Sequence, residues 1–189
     1  MSVDGTDFPI QEPSPFSKKW YSYKFNGAGI RYEVGISIQT GWIVWLNGPF
    51  PAGCYNDRQI AEDTLHLALA PGEMYLGDRV YYGKKTARQY AVTNHTRFAR
   101  SDREYDRSLC RARHECINSR FKKFEILKRE FRHHCIQKHK LVTYAVANIL
   151  QVQMEWSGKS LTFQVQYYQP TISDREIYRP DKDDKNDIP

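Results

Sequence analysis

The chain has 189 residues, of which 40% are hydrophobic, 26% charged and 14% aromatic. That suits one globular domain with a substantial core and excludes a wholly disordered chain. Net charge is +6, so anionic partners suit it. No run of about 18 apolar residues and no basic-then-apolar leader occurs, which predicts a soluble, intracellular protein with no membrane partner. Its four cysteines (Cys54, Cys110, Cys116, Cys135) are then expected to stay reduced.

Ser2 to Ile10 reads as a short strand ended by Pro9 and the turn-rich QEPSPFS. In IRYEVGISIQ, Ile30, Tyr32, Val34, Ile36 and Ile38 alternate, the period-two pattern of a half-buried strand. Thr40-Gly41 then turns the chain into a hairpin with Trp42 to Leu46. NGPFPAGCYND breaks regular structure with two prolines and two glycines, after which Asn56 or Asp57 caps a helix over Arg58 to Ala70, closed by Pro71-Gly72. EMYLGD reads as a brief buried strand that presents Asp78 at its C-terminal end.

Residues 79–100 are basic and loop-like, with a short strand near Tyr90 to Asn94. Ser101-Asp102-Arg103-Glu104 is a capping box, and Tyr105, Leu109, Ala112, Cys116, Phe121, Phe124, Leu127 and Phe131 carry an apolar stripe behind it. One long helix to about Arg132 is expected. A second, Gln137 to Gln153, is apolar on most sides and predicted buried, and Leu161 to Tyr167 alternates like a late strand. From Pro170 the chain is polar, proline-containing and rich in charge, which predicts a disordered tail over 169–189 behind one domain over 1–168. The order of elements gives an α/β fold, a mixed sheet with helices packed on it.

The charge is not evenly spread. Residues 1–78 carry 5 Lys/Arg against 9 Asp/Glu, residues 79–140 carry 18 against 6, and residues 141–189 carry 5 against 7. A central field of +12 is suited to nucleic acid, whose binding would then be strongly salt-dependent. Three isolated acids border or interrupt this field: Asp4 on the first strand, Asp78 at the end of another, and Glu115 on the long helix. Brought together, three carboxylates repel and stay ionised only around cations, and oxygen-only ligands favour hard metals such as Mg²⁺ or Mn²⁺. Two such ions would activate a water or 3′-hydroxyl and stabilise the leaving oxygen of a phosphodiester. At 100° per residue Arg111 lies about 40° and Lys122 about 20° from Glu115, so the three share one side of the helix, with Ala112 and Cys116 at its margin. A helical ion pair accounts equally well for the Arg-x3-Glu spacing taken alone.

The strings VDGTDFPI, GWIVWLNGPFPAGCYNDRQIA, EMYLGDRVYYG and RARHECINSRFKKFEILKREFRH, in this order and spacing, resemble the DDE endonuclease domain of Harbinger-type transposases over about residues 1–168. The resemblance implies a ribonuclease-H-like fold. It implies a metal-dependent DNA endonuclease or strand transferase, with Asp4, Asp78 and Glu115 as catalytic, metal-binding acids for two Mg²⁺ or Mn²⁺ ions. Arg111 and Lys122, with the adjacent Lys123, take the place of basic residues that contact DNA, and Asp57 matches a recurrent acid, read as a helix cap or a group behind the ligands. The family's context adds a nuclear location and partnership with a separate DNA-binding protein or a second copy.

Against the pattern, the first strand begins only three residues before Asp4, as in a truncated copy. Arg79-Val80 replace small residues after the second acid, and Ser108 replaces a tyrosine. The rival reading is therefore an inactive remnant that keeps the fold and binds DNA through its basic segment. A zinc site among Cys110, His114, Cys116, His133, His134, Cys135 and His139 is disfavoured, since Cys110 and Cys116 point about 120° apart on a continuous helix.

Overall fold

The computed structural model describes residues 1–81, 90–92, 112–133 and 135–156. Three antiparallel strands form its centre: β1 (Ser2–Pro9), β3 (Gly27–Ile36) and β4 (Ile43–Pro51), with a two-residue β2 (Tyr21–Ser22) against the start of β3. β5 (Tyr75–Leu76) pairs with β1 and β6 (Ala91–Val92) with β5, both parallel. The sheet thus runs β4-β3-β1-β5-β6, and β1, the first strand of the chain, lies at its middle.

The expected hairpin forms, but β4 continues through Pro49 to Pro51 where an irregular segment was expected. A proline cannot donate to a ladder, and β4 tolerates two because it pairs only with β3. The register shifts between Arg31 and Glu33, and Gly48 (φ +144°) stands where a Cβ would lie 2.5 Å from the Tyr32 ring.

Alternation along β1 assigns Ser2, Asp4, Thr6 and Phe8 to one face and Val3, Gly5 and Asp7 to the other. β3 was expected to be half-buried and is buried on both faces, because helices cover both. Over the Gly5 face lies α1, which runs through Asp57–Ile60, a π-helical turn Ala61–Leu65 and a last turn His66–Ala68. There Val3, Ala61, Leu65, Tyr75, Tyr81 and Ala91 form a small core. Asn56 is the cap, accepting from the Gln59 N–H at 2.8 Å, and Asp57 is the first helical residue rather than the cap.

Over the Asp4 face lie α2 (residues 112–121), α3 (Glu125–Lys128) and α4 (Ile136–Trp156), enclosing the larger core around Phe8, Tyr32, Val34, Ile117, Phe121 and Leu127. The long helix expected to Arg132 stops at 121. Phe121, Phe124 and Leu127 recur at a strict spacing of three. The chain follows that spacing with i→i+3 bonds (Phe124 N–H to Phe121 O, 3.2 Å; Leu127 N–H to Phe124 O, 2.9 Å), where an ideal helix would carry Leu127 off the core. Phe131 then bridges to Ile10 beside the end of β1. Residues 101–111, the late strand and the tail lie outside the described residues. α4 is buried on one face only: Val146, Leu150 and Met154 point inward, while Leu141, Ile149, Val152 and Trp156 are exposed, because a single sheet face meets it. The whole is a curled mixed sheet flanked by helices, the ribonuclease-H-like arrangement.

Candidate active site

Ser2 of β1 is in parallel register with Leu76 of β5. Asp4 lies two residues beyond Ser2 on β1, and Asp78 lies two residues beyond Leu76, just past the end of β5. Asp78 accepts from the Val80 N–H at 2.8 Å and opens a 3₁₀ turn, Arg79–Tyr81. Burial pushes the Asp4 carboxyl up to about 6, and the charges of Asp57 and Asp78 add to that rise, against the pull of Lys24 and the Gly5 N–H.

Asp57 reaches the site from α1 because Gly5 has no side chain: a Cβ there would lie 2.0 Å from Asp57 Oδ1. Burial raises the Asp57 carboxyl, with Lys24 and then Arg31 drawing it back, and Asp7 and Asp78 pushing it further up. Its Oδ1 is buried without a hydrogen bond, 3.4 Å from Arg31 Nε. Arg31 grips Asp7 with two bonds (Nε to Oδ1, 2.7 Å; Nη2 to Oδ2, 2.9 Å) and donates a third to the Tyr55 carbonyl at 2.8 Å. Ser22 Oγ donates to Asp7 Oδ2 at 2.5 Å and accepts from the Lys24 N–H at 3.2 Å, and Lys24 Nζ donates to the Gly5 carbonyl.

Behind this cluster, Glu33 stands opposite Gly5 in the ladder and is fully buried. Burial lifts its carboxyl to about 7, although the Trp45 Nε1–H donates to Oε2 at 2.8 Å. Glu33 Oε1 and the Tyr81 hydroxyl are buried without hydrogen bonds.

The structure therefore brings Asp4, Asp57 and Asp78 within reach of one another's charge. Glu115 is exposed on α2. Its neighbour His114 hydrogen-bonds Ser2 Oγ at 2.9 Å, two residues from Asp4, so α2 crosses the correct face of β1. Among the described residues, however, no three His, Cys, Asp or Glu are spaced to hold one ion. The inward side of α2 is Arg113, His114, Ile117 and Phe121, whereas Ala112 and Cys116, expected on the apolar stripe, are exposed. Arg113 takes the core position because its guanidinium donates to the Ile38 carbonyl. Lys122 and Lys123 are exposed at the end of α2, and Arg111 lies outside the described residues.

His114 and His139 are core groups: His139 Nδ1 bonds the Tyr32 hydroxyl at 2.9 Å, and burial pushes both imidazoles down to about 4. Gly5, Lys24, Arg31 and Glu33 went unpredicted. The one local signal was a glycine between two strand acids in Asp4-Gly5-Thr6-Asp7.

A ribonuclease-H-like sheet with one carboxylate on its central strand and another just past the end of the adjacent parallel strand is the framework of a nuclease-like domain. A family model described as DDE superfamily endonuclease matches residues 3–151, and the chain belongs to that family. No curated protein and no solved structure matches it. Membership brings transposase-type nuclease chemistry, DNA as substrate and divalent metal as the usual cofactor. No helix among the described residues is long and apolar enough to cross a membrane.

Proposed function

We propose that the protein is a metal-dependent DNA endonuclease or strand transferase of the Harbinger transposase type, acting in the nucleus through one domain over 1–168. The observation that carries this reading is that Asp4, on β1, is partly buried with its carboxyl raised by burial and by the charges of Asp57 and Asp78, the latter just past the end of the adjacent strand β5. Oxygen donors alone, partly buried and crowded, fit a hard divalent cation. Asp4 and Asp78 hold it in this reading and Glu115 completes the set from α2. A bound divalent ion supplies Lewis-acid activation of a water or 3′-hydroxyl and charge stabilisation at the leaving oxygen. Asp57 neither caps its helix nor faces solvent; it adds negative charge behind Asp4. Arg111, Lys122 and Lys123 carry the phosphates of the DNA in this reading.

Supercoiled-plasmid nicking in Mn²⁺ tests the assignment. Asp4→Asn, Asp78→Asn and Glu115→Gln should each abolish nicking while salt-sensitive DNA binding persists. Intact nicking in all three would overturn the assignment of the acids. The exposed position of Glu115, away from a three-ligand cluster, favours a second reading, an inactive DNA-binding remnant. That reading predicts DNA binding with no nicking in the wild type.

A further inference from the structure

Lys24 is an exposed residue of the turn between β2 and β3 that the sequence gives no reason to notice, yet its ammonium group is tied to the backbone beside Asp4. Its Nζ donates to the Gly5 carbonyl, one residue from Asp4. Gly5 is also the residue against which the Asp57 carboxylate packs, so ammonium and carboxylate abut the same backbone unit. The turn that carries Lys24 is fastened separately: Ser22 Oγ accepts from the Lys24 N–H and donates to Asp7, which Arg31 fixes with two bonds. Such a chain of bonds, buried at Asp7 and partly buried at Lys24, holds the turn of a lysine whose side-chain entropy opposes a fixed position. Lys24 is also the cation whose field acts most on both Asp4 and Asp57, ahead of Arg31 at Asp57. Arg31 is committed to Asp7 and Tyr55 while lying 3.4 Å from Asp57 Oδ1, whereas the lysine stem is flexible and its ammonium is bonded to a neutral carbonyl.

We infer that Lys24 is a tethered counter-ion of the Asp4–Asp57–Asp78 cluster, which holds the metal-free site together and gives way when a divalent cation binds. The inference rests on the reading that Asp4 and Asp78 bind such an ion, and it adds that the protein's own ammonium competes with the metal. Two consequences have opposite signs. Removing the Lys24 charge should destabilise the metal-free protein, because the acids lose a positive charge that draws their carboxyls down. It should also tighten metal binding, because a competitor is gone. A residue with a merely structural role would give the first effect without the second.

The test uses the full chain with Lys24→Met, Lys24→Arg and, as a lysine remote from the cluster, Lys18→Met. Thermal melting in EDTA at pH 8 and Mn²⁺ calorimetry are read together. Lys24→Met should melt lower in EDTA and bind Mn²⁺ roughly three- to tenfold more tightly. Lys24→Arg and Lys18→Met should stay near wild type in both. If Lys24→Met fails to fold, Lys24→Gln keeps a donor for the Gly5 carbonyl, drops only the charge and is read in its place. Unchanged or weaker Mn²⁺ affinity, or unchanged melting in EDTA, overturns the role of Lys24 while leaving the metal reading intact. No Mn²⁺ binding in wild type or any variant overturns the metal reading and the exchange with it.

Discussion

Glu33 is an acid that pays a desolvation cost with only one hydrogen bond in return, and its pH behaviour follows from that. Its folded carboxyl sits near 7 against an ordinary 4.5, so the folded state holds the proton more tightly. The stability it contributes is therefore present below pH 4.5 and lost as the pH rises through 7, by on the order of 3 kcal/mol. Glu33→Gln keeps an acceptor for Trp45 and removes the charge. Urea denaturation should show it more stable than wild type by about 1–3 kcal/mol at pH 8 and nearly equal at pH 5; an equal gain at both would mean that charge is not the cause. Gly5 makes a steric prediction of the same precision. Gly5→Ala drives a methyl into the Asp57 carboxylate and should cost about 1–3 kcal/mol, whereas the cost should largely vanish in an Asp57→Ala background. Additive losses in that cycle would break the proposed contact between the two residues.

At the scale of elements, the sequence was legible where a local pattern decides the structure. Period-two alternation found β3, a short stretch closed by Pro9 and a turn-rich segment found β1, a capping asparagine found α1, and a brief apolar run ending on Asp78 found β5. It misled where a distant partner decides. Pro49 and Pro51 read as breakers, but β4 needs no donors on its unpaired side. The stripe from Phe121 to Phe131 read as one helix, but its spacing of three is met by tight turns and then by the Ile10–Phe131 bridge, which no local pattern announces. Of the candidate site, Asp4 and Asp78 stood out in the sequence as isolated charges near a basic field, while Arg31 and Glu33 came to it only through sheet register and Lys24 only through its turn. The end of α2 carries a prediction of its own, since Lys122 and Lys123 are exposed beside the turn. If they bind phosphates, Lys122→Ala and Lys123→Ala should each lower the slope of log K against log salt by about 0.9 for duplex DNA, weakening all sequences alike. A slope unchanged in the double variant would move the DNA interface elsewhere in the basic segment.

For the whole molecule, the proposed metal site would make protons and divalent cations rivals at β1. His114 and His139, held near 4 against an ordinary 6.5, give stability that is present above pH 6.5 and lost as the pH falls toward 4. Asp4 and Glu33 slope the other way, being relieved by protonation as the pH falls through 7 and 6. The opposing terms flatten the metal-free stability curve between about pH 4.5 and 6.5, so pH alone is a poor probe of the site. A cation breaks the balance, because it relieves only the carboxylates and cannot replace the proton on a core imidazole. Metal stabilisation should therefore be large where Asp4 is ionised and fade where a proton already neutralises it. At a hundredfold excess over Kd, Mn²⁺ should raise the melting temperature by about 5–10 °C at pH 7.5 and by much less at pH 5. EDTA should reverse the rise. Asp4→Asn should melt higher than wild type in EDTA at pH 7.5, having lost the repulsion, and should gain nothing from Mn²⁺ at either pH. A Mn²⁺ shift that survives Asp4→Asn would place the ion away from β1, and one equal at pH 5 and 7.5 would exclude Asp4 as the group that proton and metal share.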